Sequence, residues 1–176
     1  MCRAPDLRLR GAVGWHKINK TQAVSYRPGE TGRSEMGKIN MGRVILGGII
    51  AGVIINVVEG VVNGVILQPQ WSEAAKAIGR PAATSAKQIV AFNVWGFAAG
   101  IIAVWLYAAM RPRFGPGPRT AMRAGAAVWL LAHAMANGMM AFLHVYPIGL
   151  LVTATAVGLV EVLIAATAGA CFYREA

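Results

Sequence analysis

Four stretches of this chain are apolar over a length that suits a lipid bilayer. They cover 44–67 (VILGGIIAGVIINVVEGVVNGVIL), 89–110 (IVAFNVWGFAAGIIAVWLYAAM), 121–143 (AMRAGAAVWLLAHAMANGMMAFL) and 148–172 (IGLLVTATAVGLVEVLIAATAGACF), each 22–25 residues long. About 20 helical residues cross a hydrocarbon core of about 30 Å. Inside it a segment must satisfy its own backbone hydrogen bonds, which a helix does unaided. The four stretches take up about half of the 176 residues, leaving too little polar chain to cover them as the interior of a soluble protein. Only 14% of residues are charged and 56% are hydrophobic, against about 25% charged in an average soluble domain. The expected fold is an all-α integral membrane protein, a bundle of four transmembrane helices.

The punctuation agrees. Pro5, Pro28, Pro69, Pro81, Pro112, Pro116, Pro118 and Pro147 all lie outside the four stretches, where a missing N–H is harmless. Trp71, Tyr107, Tyr146 and Tyr173 stand near stretch ends, as interfacial aromatics do. Of 17 Lys and Arg residues, 14 fall in the N-terminal region, the RPRFGPGPR connection with the start of the third helix, and the C-terminus. Lys76, Arg80 and Lys87 fall in the first loop. Basic residues favour the cytoplasmic side, so the expected location is the inner membrane, multi-pass, with both termini cytoplasmic. The formal net charge of +10 then reflects orientation, and nucleic acid is not an expected partner. In the first loop, WSEAAKAIG (71–79) reads as a short interfacial helix capped by Ser72 and ended by Gly79.

Residues 1–40 read as a basic, disordered tail and 41–176 as the membrane domain. Met36 or Met41 is an alternative start. The tail's other use would be contact with anionic headgroups. Cys2 and Cys171 form no CxxC or Cys/His spacing, so no metal site and no haem attachment is expected, and no cofactor. No nucleophile–base set or phosphate loop is present, and no enzyme activity is expected.

Glycines recur at four-residue spacing: Gly48 with Gly52 and Gly60 with Gly64 in the first helix, Gly96 with Gly100 in the second. Such pairs let backbones approach closely in lipid, serving either packing within the bundle or a homo-oligomer. Glu59-x3-Asn63-Gly64 has an echo in His133-x3-Asn137-Gly138, and 98–109 resembles 156–167. Two tandem helical hairpins are therefore an option beside chance.

The polar residues inside the stretches are Asn56, Glu59, Asn63, Asn93, His133, Asn137 and Glu161. An ionisable side chain at the helix centre costs about 2.5–3.5 kcal/mol on insertion scales, so each needs a partner or a purpose. At a rise of about 1.5 Å per residue, Glu59, His133 and Glu161 lie within about 5 Å of their midpoints, and Asn63, Asn93 and Asn137 about 7–11 Å toward the first-loop side. One reading is a structural network, with Glu59 bonded to Asn137 or His133. The other is a proton- or cation-responsive site, because the protonation of buried carboxyls and imidazoles follows burial and neighbouring charge.

The segments GRVILGGIIAGVIINVVEGVVNGVIL (42–67) and VWLYAAMRPRFGPGPRTA (104–121) resemble a group of small four-helix bacterial membrane proteins with no assigned activity. The resemblance covers most of 40–175 and implies a four-helix membrane protein. A four-helix chain with Glu59 in its first helix also resembles, in those two features alone, the small multidrug resistance transporters. Three functions follow as expectations: an inner-membrane protein whose activity the sequence leaves open, a small proton- or cation-coupled transporter or channel, or a non-catalytic packing subunit.

Overall fold

The computed structural model describes residues 39–81 and 83–175. Most of the tail, and with it the readings for 1–38, lies outside the described residues. Every described element is helical. Helix α1 (Met41–Val61) runs on through a five-residue π-helical turn, Val62–Ile66. Helix α2 (Gln68–Ala77) is short, and α3 (Ala86–Phe114) is the longest. Helix α4 (Pro118–Trp129) passes through a second π-helical turn, Leu130–Ala134, into α5 (Met135–Phe142), and α6 (Ile148–Cys171) ends the fold. Four helical runs, Met41–Ile66, Ala86–Phe114, Pro118–Phe142 and Ile148–Cys171, are long and apolar enough to cross a membrane. The chain is thus an all-α four-helix bundle of the multi-pass membrane class.

Three of the four spans begin three residues before their apolar stretches, and the fourth begins with its stretch at Ile148, because local end chemistry as well as hydropathy sets helix ends. Asn40 Oδ1 accepts the Arg43 N–H at 3.1 Å. Ser85 and Gln88 form a reciprocal capping box, with Ser85 N–H donating to Gln88 Oε1 at 2.8 Å, satisfying two donors that a helix start leaves orphaned. Pro118 stands in the first turn of α4, where its fixed φ suits a helix. Two expectations need correcting. Helix α3 continues past its apolar stretch and contains Pro112 in its last turn, where one absent N–H costs a single bond near the helix end. The short loop helix starts at Gln68, and Ser72 lies inside it. Leu67 N–H closes the π-helical turn onto the Val62 carbonyl at 2.8 Å and keeps helical dihedrals, so the chain enters α2 without a capping break.

Two ends use the same device. At Gly79 (φ 71°), Arg80 N–H reaches the Ala75 carbonyl at 2.9 Å and Gly79 N–H the Lys76 carbonyl at 3.0 Å, the Schellman pattern. After α5 the pattern repeats, but the left-handed position is His144 (φ 53°), with Val145 N–H on the Met140 carbonyl and His144 N–H on that of Ala141, both at 3.1 Å. A side chain there costs about 1 kcal/mol or more relative to glycine. His144→Gly is therefore expected to raise unfolding stability in detergent by about 1 kcal/mol; an unchanged midpoint contradicts this.

Helix α1 packs against α3 and α6, and α4 against α6 and α3. The half of the bundle that carries Arg43 and Arg111 is tightly filled. Val44, Ala51, Ala103, Val104, Ala165 and Ala166 are fully buried there. Arg111 closes this end, its guanidinium 5.3 Å from the Tyr173 ring and 5.9 Å from that of Tyr107, with Glu175 at 3.4 Å. The opposite half, next to α2, is splayed: residues 86–95 of α3 are all exposed.

Candidate functional site

The amides of the bundle divide by what they bond. Asn56 donates to the Gly52 carbonyl in its own helix at 2.8 Å and to the Asn93 carbonyl across the bundle at 3.2 Å. It fits because Gly96 faces it; a Cβ at Gly96 would stand 2.6 Å from Asn56 Oδ1. Asn93 turns its own amide back to the Ile89 carbonyl at 2.8 Å and is exposed. Asn137 donates to Thr155 Oγ1 at 2.8 Å, while Thr155 donates to the Leu151 carbonyl at 2.7 Å and its own carbonyl accepts the Trp129 indole N–H at 2.9 Å. Asn56 and Asn137 thus spend amide N–H groups on staples between helices. Thr155 and Trp129, missed in the sequence, complete the second staple. A threonine in a span bonds its own helix at i−4, so its sequence carries no sign of a cross-helix partner.

Glu59, His133 and Glu161 behave differently. Glu59 Oε2 accepts the Asn63 side-chain N–H at 2.5 Å, and Asn63 Oδ1 accepts the Trp71 indole N–H at 3.0 Å. Glu59 therefore bonds neither Asn137 nor His133. His133 sits in the second π-helical turn with its imidazole against Gly158 of α6, where an added Cβ would collide with Nδ1 and come within 2.8 Å of Cε1. Glu161 lies three residues further along α6, on the same face as Gly158 by helical spacing. Glu59 lies near enough to His133 and Glu161 to interact with both, so three separate spans bring their ionisable groups into one neighbourhood.

Glu161 is the outlier of the set. It is only 2% exposed, and its Oε1 is buried with no hydrogen-bond partner. Desolvating an ion costs several kcal/mol unless it is paired. An orphaned buried carboxyl oxygen calls for a proton or a cation. Among the described residues no three His, Cys, Asp or Glu side chains cluster closely enough to hold a metal ion. Both π-helical turns adjoin this neighbourhood, one beginning three residues after Glu59 and the other containing His133; such turns inside α-helices recur at functional sites.

The glycines also separate. Gly48, Gly52 and Gly100 bring α1 and α3 into backbone contact, a Cβ on Gly100 falling 2.5 Å from both the Gly48 carbonyl oxygen and the Gly52 nitrogen. Gly47 and Gly169 do the same for α1 and α6. Gly60 and Gly64 have nothing within 4 Å of an added Cβ. Two hollows of about 370 and 560 Å³ lie beside α2, sharing Ala74, Ala77 and Pro147, and none of the three ionisable residues lines them. Comparison with protein families, curated proteins and solved structures finds no match to this chain.

Proposed function

We propose that this chain is a bacterial inner-membrane protein that takes up a proton from the outer side at Glu59, His133 and Glu161, with both termini cytoplasmic. The orientation rests on the sequence distribution of basic residues, 14 of 17 falling in the N-terminal region, the second connection with the start of the third helix, and the C-terminus, under the positive-inside rule. The single observation that carries the site is the buried, unpartnered Oε1 of Glu161 beside the charge of Glu59. A proton satisfies one lone oxygen; a metal ion needs a converging shell of ligands, usually four or more. The α2 side is the proposed route to the site, because Asn63, Asn93 and Asn137 lie on that side, whereas fully buried apolar side chains fill the other half.

Proton uptake by the purified chain in nanodiscs, followed with a pH indicator through a step from alkaline to acidic pH, tests this. The wild type is expected to bind about one proton more than Glu161→Gln, since interacting carboxyls titrate as a set. Equal uptake in wild type, Glu59→Gln and Glu161→Gln removes the proposal. The same variants in liposomes distinguish simple uptake from coupled transport, which adds a flux lost in Glu161→Gln.

A further inference from the structure

A chain of two hydrogen bonds links Glu59 to the helix lying at the α2 end of the bundle. Trp71 Nε1 donates to Asn63 Oδ1 at 3.0 Å, and Asn63 Nδ2 donates to Glu59 Oε2 at 2.5 Å. The order is dictated by chemistry. An indole N–H only donates and an ionised carboxylate only accepts, so an amide between them satisfies both in one orientation. The π-helical turn Val62–Ile66 supplies the register, carrying the chain straight into α2 so that Trp71 comes back over Asn63.

Packing also holds α2. The Trp71 ring meets Tyr146 edge-on at 5.4 Å and 83° and joins a small apolar cluster with Leu67, Ala74 and Leu150. The Trp71 indole is thus both an apolar anchor for α2 and the end of a polar line running to the intramembrane carboxyl.

We infer that Asn63 and Trp71 are positioning residues that make α2 a lid answering to the charge on Glu59, an inference resting on the proton-uptake reading above. A bond to a carboxylate is charge-assisted, roughly twice as strong as a neutral one. It also polarises the amide and strengthens its second bond to Trp71. A proton on Glu59 cancels both effects and weakens this tie on α2. The groups that bear on Glu59 are His133 from the third span and Glu161 from α6. Helix α3 carries no charged side chain between Lys87 and Arg111, and Glu73 and Lys76 of α2 are exposed.

Amide hydrogen exchange of residues 68–77 in nanodiscs, at one fixed pH, tests the relay. Glu59→Gln, which imitates the protonated carboxyl, should lower the protection of α2 severalfold, the difference between a bond to a charged acceptor and one to a neutral acceptor. Trp71→Phe keeps a ring and deletes the N–H, and should lower it to a similar degree. The double variant should add little, because both changes cut one chain. Unchanged protection in Glu59→Gln, or additive losses in the double variant, overturns the relay. Should Trp71→Phe fail to fold, the wild type suffices: protection of α2, corrected for intrinsic exchange, falls on acidification and does so less in Glu59→Gln. An equal fall in both overturns the relay. Uptake measured on the same samples separates the two ideas. A wild type that binds no extra proton yet loosens α2 in Glu59→Gln removes the uptake reading and keeps the relay; normal uptake with unaltered α2 does the opposite.

Discussion

Leucine at Gly100 is expected to unfold the bundle. A Cβ there would meet the Gly48 oxygen and Gly52 nitrogen at 2.5 Å and Gly52 Cα at 2.9 Å. All three are backbone atoms, so no rotamer change relieves the clash, and α1 and α3 must move apart along their tightest contact. Overpacking a well-filled core costs about 1–3 kcal/mol and occasionally more; with only backbone to yield, a loss of about 3 kcal/mol or more is expected here. Titration with sodium dodecyl sulfate, followed by far-ultraviolet circular dichroism, measures it. Gly60→Leu is the control, because nothing stands within 4 Å of its added Cβ, and a shift within about 0.5 kcal/mol is expected. Equal losses at both positions would show that the α1–α3 contact is not what holds the bundle. Because Gly48, Gly52 and Gly100 meet within the chain, an oligomer lost in Gly100→Leu would be lost together with the fold.

Methionine at Glu161 should make the protein more stable and less responsive. Glu161 is buried, and one of its oxygens bonds nothing. An unbranched apolar side chain of similar length removes the desolvation cost and keeps the packing. Replacing buried ionic groups by apolar ones of similar volume often stabilises by about 1–4 kcal/mol, and a gain in that range is expected in the same detergent titration. Uptake of the extra proton should disappear in the same variant. The sign of the stability change separates the two readings of the residue. A loss of stability in Glu161→Met would mean that the carboxyl holds the bundle together, and its role as the uptake site would fall.

The architecture was legible because bilayer constraints act locally. Length and apolarity of each run are properties of consecutive residues, and they located the four helices to within a few residues at each end. The misplacements came from local chemistry that hydropathy ignores. The Ser85–Gln88 capping box extends α3 upstream, and the π-helical turn before Leu67 lets α2 begin without a cap. The polar candidates were visible individually, since an ionisable residue within an apolar run stands out. Their partners were not. Asn137 is stapled to Thr155 from 18 residues away, and Asn56 reaches the Asn93 carbonyl 37 residues on. Trp71 looked like an interfacial anchor, and the Asn63 bond of its N–H shows only in three dimensions.

Two identical patterns mark the boundary most sharply. Gly48-x3-Gly52 and Gly60-x3-Gly64 are the same motif in one helix, yet the first is wedged against α3 and the second touches nothing. Glu59 and Glu161 are both carboxyls deep in apolar runs, yet one is bonded to an amide and the other is left with an orphan oxygen. The sequence by itself determined which segments are helical and apolar enough to span a membrane, because those properties depend on neighbours along the chain. Tertiary structure alone decided which glycines are crowded and which carboxyl is unsatisfied, because close packing and hydrogen bonding depend on what another helix presents at the same depth.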